Sequence, residues 1–193
     1  PRTSSAASDV YKRQHLLGVI AHQLGKNEVA VDLINKAIAI TPDYAQAYSN
    51  LGTALKELGR LDEAVTSYDK ALAIKPDYAQ AYSNLGNTLH ELGKLDEAVE
   101  NCQKALAIKP NFAEAHNNLG NTFKELGRLD EAAASHHKAI AIKPDYAEAH
   151  NNLGTVLQDQ GLLDEALTSY QKAIAIKPDY VEAWANIGTA YTK

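Results

Sequence analysis

Residues 45–76 read AQAYSNLGTALKELGRLDEAVTSYDKALAIKP, and a near copy of that stretch begins at Ala79. Two amphipathic segments are folded into it. Tyr48, Leu51, Gly52, Leu55 and Leu58 stand at helical spacing and make one face of a first helix over about 44–58. Gly59 stops that helix, because glycine accepts the left-handed conformation at a helix end. Ala64, Val65, Tyr68, Ala71, Leu72 and Ile74 supply the apolar positions of a second helix from about Leu61 to Lys75. Asp62 and Glu63 in its first turn, and Lys70 and Lys75 toward its end, oppose the helix dipole favourably. Pro76 disfavours helical geometry at Lys75 and closes the pair.

Working outward, the same design recurs throughout. Pro42, Pro76, Pro110, Pro144 and Pro178 are each 34 residues apart, and residues 45–78 and 79–112 are identical at 24 of 34 positions. A fixed period of this length marks a solenoid, in which each repeat buries its apolar face on its neighbours. Asp43/Gln46, Asp77/Gln80, Asn111/Glu114, Asp145/Glu148 and Asp179/Glu182 share an offset of three, so the aspartates and Asn111 are predicted N-caps in a capping-box pattern. No strand-like alternation occurs, so the expected fold is all-α, an array of antiparallel helix pairs.

Composition excludes several classes of function. The chain has 193 residues, 19 basic against 24 acidic, and a formal charge of -5, which argues against a nucleic-acid binder. One cysteine, Cys102, excludes an internal disulfide framework and a multi-cysteine zinc site. No apolar run reaches the length of a membrane span. Methionine is absent and the chain starts at Pro1, as expected of a piece of a longer protein. Residues 4–14, SSAASDVYKRQ, match the in-frame translation of a sequencing-library transposase adapter, so residues 1–14 are set aside as non-native and the native array is placed at 15–193, with a charge of -7. No compartment is written in the sequence; the cytoplasm is the favoured one.

Tyr48, Leu51, Gly52, Leu55, Gly59, Ala64, Tyr68, Ala71 and Pro76 follow in order the pattern of the tetratricopeptide repeat family, which the chain resembles from about Tyr11 onward. Repeats begin near residues 11, 45, 79, 113 and 147, with a lone first helix from Val181. The resemblance implies a right-handed solenoid whose first helices line a concave groove, and a role in binding protein or peptide. His116 and His150 depart from the family at the first aromatic position, Cys102 and His136 at the later one.

Little in the chain suggests chemistry of its own. The Asp-Glu pairs at 62–63, 96–97, 130–131 and 164–165 are equivalent copies at helix N-termini and read as dipole partners rather than as a catalytic pair, which needs one pocket and divergent pKa values. Cys102 sits at a packing position with no base arranged for it. The lysine before each proline reads as solvated charge. His116, His136, His137 and His150 could converge on zinc, but their positions favour rings that replace tyrosine in packing. No catalytic residue, cofactor or metal is expected.

The candidate site is the polar stripe of the first helices. Asn50, Asn84, Asn118, Asn152 and Asn186 recur at the repeat period, with Thr53, Asn87, Asn121 and Thr155 one turn on. Mid-helix asparagine costs about half a kcal/mol relative to alanine, so it needs a reason. Either its amide contacts the backbone of a bound extended polypeptide, or it serves hydrogen bonding between helices. With Glu57, Glu91, Glu125 and Asp159 nearby and only Lys56 and Lys124 as basic neighbours, the binding reading expects exposed asparagines and a neutral to basic ligand. The Ser-Asn-Leu-Gly and Asn-Asn-Leu-Gly steps are similar to the repeats of protein O-linked N-acetylglucosaminyltransferases, which implies as an alternative the substrate-recruiting region of a larger transferase.

Overall fold

The computed structural model describes residues 5–190, with side chains from Asp9 onward. Those residues form eleven helices and no strand. The first helices of successive repeats are α1 (Ser5–Gln23), α3 (Ala45–Glu57), α5 (Ala79–Glu91), α7 (Ala113–Glu125), α9 (Ala147–Asp159) and α11 (Val181–Ala190). The second helices are α2 (Asn27–Ile40), α4 (Leu61–Ile74), α6 (Leu95–Ile108), α8 (Leu129–Ile142) and α10 (Leu163–Ile176). The chain divides into two compact units, Pro1–Lys94 and Leu95–Lys193. In the first, α1 packs on α2, α3 on α4, and α5 follows α4; in the second, α7 packs on α8 and α9 on α10, and α11 follows α10. Helix α1 runs on through residues 5–14, a string with no glycine or proline to stop it.

Each hairpin turns on a glycine. Gly25, Gly59, Gly93, Gly127 and Gly161 have φ between 71° and 80°, which disfavours residues with a Cβ. The backbone then closes as a Schellman motif: Gly59 N–H donates to Lys56 O at 2.8 Å and Arg60 N–H to Leu55 O at 3.0 Å.

The aspartates before the first helices do not cap them. The N-cap residue is the aromatic that follows, Tyr44, Tyr78, Phe112 or Tyr146, and no side chain there bonds to a free N–H. The aspartate therefore stands one residue too early for the predicted box. The lysine three residues earlier lies over the aromatic ring: Lys75, Lys109, Lys143 and Lys177 place Nζ 4.4–5.1 Å from the ring centroid of Tyr78, Phe112, Tyr146 and Tyr180. Those lysines are thus cation–π partners rather than merely solvated charges.

Between helices the core is built from alanine and one large side chain per pair. Ala64, Tyr68 and Ala71 are fully buried, as are Ala132, His136 and Ala139, and Ala166, Tyr170 and Ala173. Each ring lies against the glycine of the preceding helix. A methyl group at Gly52 would fall 2.7 Å from Tyr68 Cε1, and one at Gly154 2.5 Å from Tyr170 Cε1. The leucine of the Leu-Gly step is buried in every interior repeat, whereas its counterpart Leu17 in α1 is half exposed.

Candidate functional site

The ladder asparagines sit on the first helices as their spacing requires, but half-buried rather than exposed. The amides of Asn50, Asn84, Asn152 and Asn186 donate inside the protein. Asn50 Nδ2 donates to His15 Nε2 at 2.8 Å, Asn152 Nδ2 to Asn117 Oδ1 at 3.2 Å, and Asn186 Nδ2 to Asn151 Oδ1 at 3.0 Å. In each case the acceptor lies 35 residues earlier, at the fifth position of the preceding repeat. A second bond reaches 31 residues back: Asn152 Nδ2 to Asn121 Oδ1 at 2.9 Å, and Asn84 Nδ2 to Thr53 Oγ1 at 3.4 Å. The expectation of freely exposed side chains is corrected: the amide is a hinge pin between neighbouring first helices, close enough to pair because the small residues beside it let the helices approach.

The remaining candidates divide. Thr53 Oγ1 donates to Ser49 O at 3.1 Å and lies 3.3 Å from the Tyr68 hydroxyl; Thr155 Oγ1 donates to Asn152 O at 2.8 Å. Asn121 is the acceptor already described, and Asn87 and Asn118 are half-buried on the same helix faces. Of the two basic neighbours, Lys56 pairs with Glu91 at 2.9 Å and Lys124 with Asp159 at 3.6 Å.

The fifth-position residues were missed by the sequence reading. Asn117 and Asn151 are almost fully buried, and each passes its own amide on, Asn117 Nδ2 to Glu148 Oε1 at 3.5 Å and Asn151 Nδ2 to Glu182 Oε1 at 3.2 Å. The signal was available: aligning the repeats in columns puts His15, Ser49, Ser83, Asn117 and Asn151, all polar, beside the buried leucine step.

Among the described residues no group of three or more His, Cys, Asp and Glu could hold a metal ion. His116 Nε2 and His150 Nε2 each lie 3.0 Å from the carbonyl of Pro110 and Pro144, the bond that Trp184 Nε1 makes to Pro178 O. Here histidine takes the place of the family's aromatic by donating from Nε2. His136 Nδ1 lies 3.1 Å from Asn117 Oδ1, its Nε2 has no partner, and burial drives its pKa down to about 4, so the ring is neutral. Burial likewise pushes the Cys102 thiol up to about 12, which leaves no thiolate for nucleophilic attack. In two of the four acidic pairs the glutamate faces an arginine fork: Glu63 takes two bonds of 2.7 Å from Arg60 and Glu131 two from Arg128, and these hydrogen bonds hold both carboxyls below the usual range. No helix among the described residues is long and apolar enough to cross a membrane. Nothing here points to an enzymatic activity.

What the fold defines is a repeat array of helix hairpins. The family model of the TPR repeat matches residues 18–59, 52–93, 86–127, 120–161 and 158–193. The chain belongs to the tetratricopeptide repeat family. No curated protein matches it. Among solved structures, TTC0263, a thermophilic TPR protein of Thermus thermophilus, is 26% identical with a TM-score of 0.81, over 95% of this chain and 100% of that one. MamA is 25% identical, TM-score 0.71, over 86% and 96%. YrrB, described as a TPR protein with an unusual peptide-binding site, is 23% identical, TM-score 0.69, over 95% and 98%, a likeness of fold.

Proposed function

We propose that this chain is a protein-binding scaffold whose first-helix face holds an extended, neutral to basic polypeptide segment. The observation that supports this is the charge of that face. In the second unit α7, α9 and α11 carry five carboxylates against one lysine, Lys124, already paired with Asp159; in the first, α3 and α5 carry Glu57 and Glu91 against Lys56, already paired with Glu91. An acidic surface flanked by amide groups attracts a cationic chain and repels an acidic tail. Asn50, Asn152 and Asn186, whose amides donate between helices, contribute through their carbonyl oxygens.

Binding of a lysine-bearing extended peptide and of its glutamate-bearing counterpart, each measured by calorimetry at two salt concentrations, tests the reading. The basic peptide binds and weakens with salt, and Glu114→Gln/Glu125→Gln weakens it further. Equal binding of both peptides, or preference for the acidic one, refutes it.

A further inference from the structure

In two repeats a basic residue at the entry to the second helix neutralises its acidic pair. Arg60 holds Glu63 and Arg128 holds Glu131, each by two hydrogen bonds. The residue 34 positions after Arg128 is Leu162. It is 43% exposed at the N-cap of α10. Among the described residues neither Asp164 nor Glu165 forms an ion pair. The exchange of arginine for leucine thus leaves a bare apolar side chain beside two uncompensated carboxylates.

The same compact unit carries the complement of that knob. At the C-terminal ends of α6 and α8 lies a hollow of about 360 Å³, walled by Leu106, Pro110, Ala141 and Ile142. Its lining contains no carboxylate and one amino group, that of Lys138. Lys138 forms no ion pair among the described residues. An apolar hollow with a cation at its rim suits an apolar side chain followed by an acid.

We propose that the α6–α8 hollow receives Leu162 of a second copy of this chain, with Asp164 and Glu165 of that copy set against Lys138. Knob and hollow are different residues, so the contact is heterologous. Each copy in a pair keeps one free knob and one free hollow, and the assembly grows head to tail. One leucine and one charge cluster make a small, salt-sensitive contact of the transient class. It involves neither the first-helix face nor the polypeptide proposed to bind there.

Sedimentation equilibrium of the whole chain tests this. The chain associates with rising concentration, and salt weakens the association. Leu162→Arg restores the residue found at Arg60 and Arg128, and Lys138→Glu reverses the charge of the hollow. Each weakens association by about tenfold or more, with the circular dichroism unchanged because both side chains are exposed. Mixed together, the two variants form a one-to-one dimer that grows no further, since each retains the half the other has lost. A chain that stays monomeric to on the order of 1 mM, variants that associate like the parent, or a mixture that stays monomeric overturns the proposal. So does a monomeric chain whose hollow takes a free acidic peptide, which assigns the hollow to a foreign partner.

Discussion

Replacing Asn152 with alanine separates the two roles of the ladder. Asn152 Nδ2 donates to Asn117 Oδ1 at 3.2 Å and to Asn121 Oδ1 at 2.9 Å, both across the boundary between repeats. Two such bonds contribute about 1–3 kcal/mol together. Alanine returns roughly 0.6 kcal/mol of helix propensity. The variant is therefore less stable by about 0.5–2.5 kcal/mol. Asn84→Ala provides the contrast: its inter-repeat bond to Thr53 is 3.4 Å long and the 2.9 Å bond it accepts from Gln80 is exposed on its own helix, so propensity offsets their loss and leaves a change near zero. Because the chain divides into two compact units, one melting temperature is a poor measure. Hydrogen exchange of amides in α7 and α9 reads the local opening free energy directly. A double-mutant cycle with Asn121→Ala isolates the 2.9 Å bond, with a coupling of about 0.5–1.5 kcal/mol. If Asn152→Ala is as stable as the parent and uncoupled from Asn121, the bonds contribute nothing net, and the asparagines are kept for a ligand.

Two further tests address the interior. His136 has a folded pKa of about 4 against 6.5 in the unfolded chain. The unfolded state thus binds the extra proton between those values, and stability present above pH 6.5 is lost as pH falls toward 4, by roughly 3 kcal/mol in all. His136→Tyr, the residue of the equivalent Tyr68 and Tyr170, removes that share of the slope; denaturant midpoints across the range check it, and an unchanged slope refutes it. Gly59→Ala meets no atom within 4 Å, so its cost is purely that of φ 73°, about 1–2 kcal/mol by chemical denaturation. A neutral result would mean the turn relaxes without the left-handed residue.

Periodicity alone was sufficient for the helices. A spacing of 34 residues, a glycine stop and a proline close are local signals, each acting through backbone conformation within one turn, and the helices begin and end within a residue or two of where those signals fall. The polar stripe was legible for the same reason, since a helix of fixed pitch puts Asn50 and Thr53 on one face whatever surrounds it. The capping box was misread because one residue of offset decides a cap. The N-cap falls on Tyr78, whose ring lies under Lys75, on a turn whose path the pattern does not specify.

The partner of each polar group was decided by tertiary structure. Asn152 meets Asn117 and Asn121 only because neighbouring first helices lie side by side, and its exposure follows from that approach rather than from its place on a helix. The sequence places His136 at an aromatic packing position, but its full burial against Gly120, and the desolvation that keeps it neutral, come from the tertiary structure. Gly188 and Gly154 occupy equivalent positions in sequence; one is covered by Tyr170 and the other is open, because burial depends on which helix lies across it. Local conformation is set by residues within a few positions, whereas burial, hydrogen-bond partner and charge state are set by atoms brought together from other repeats.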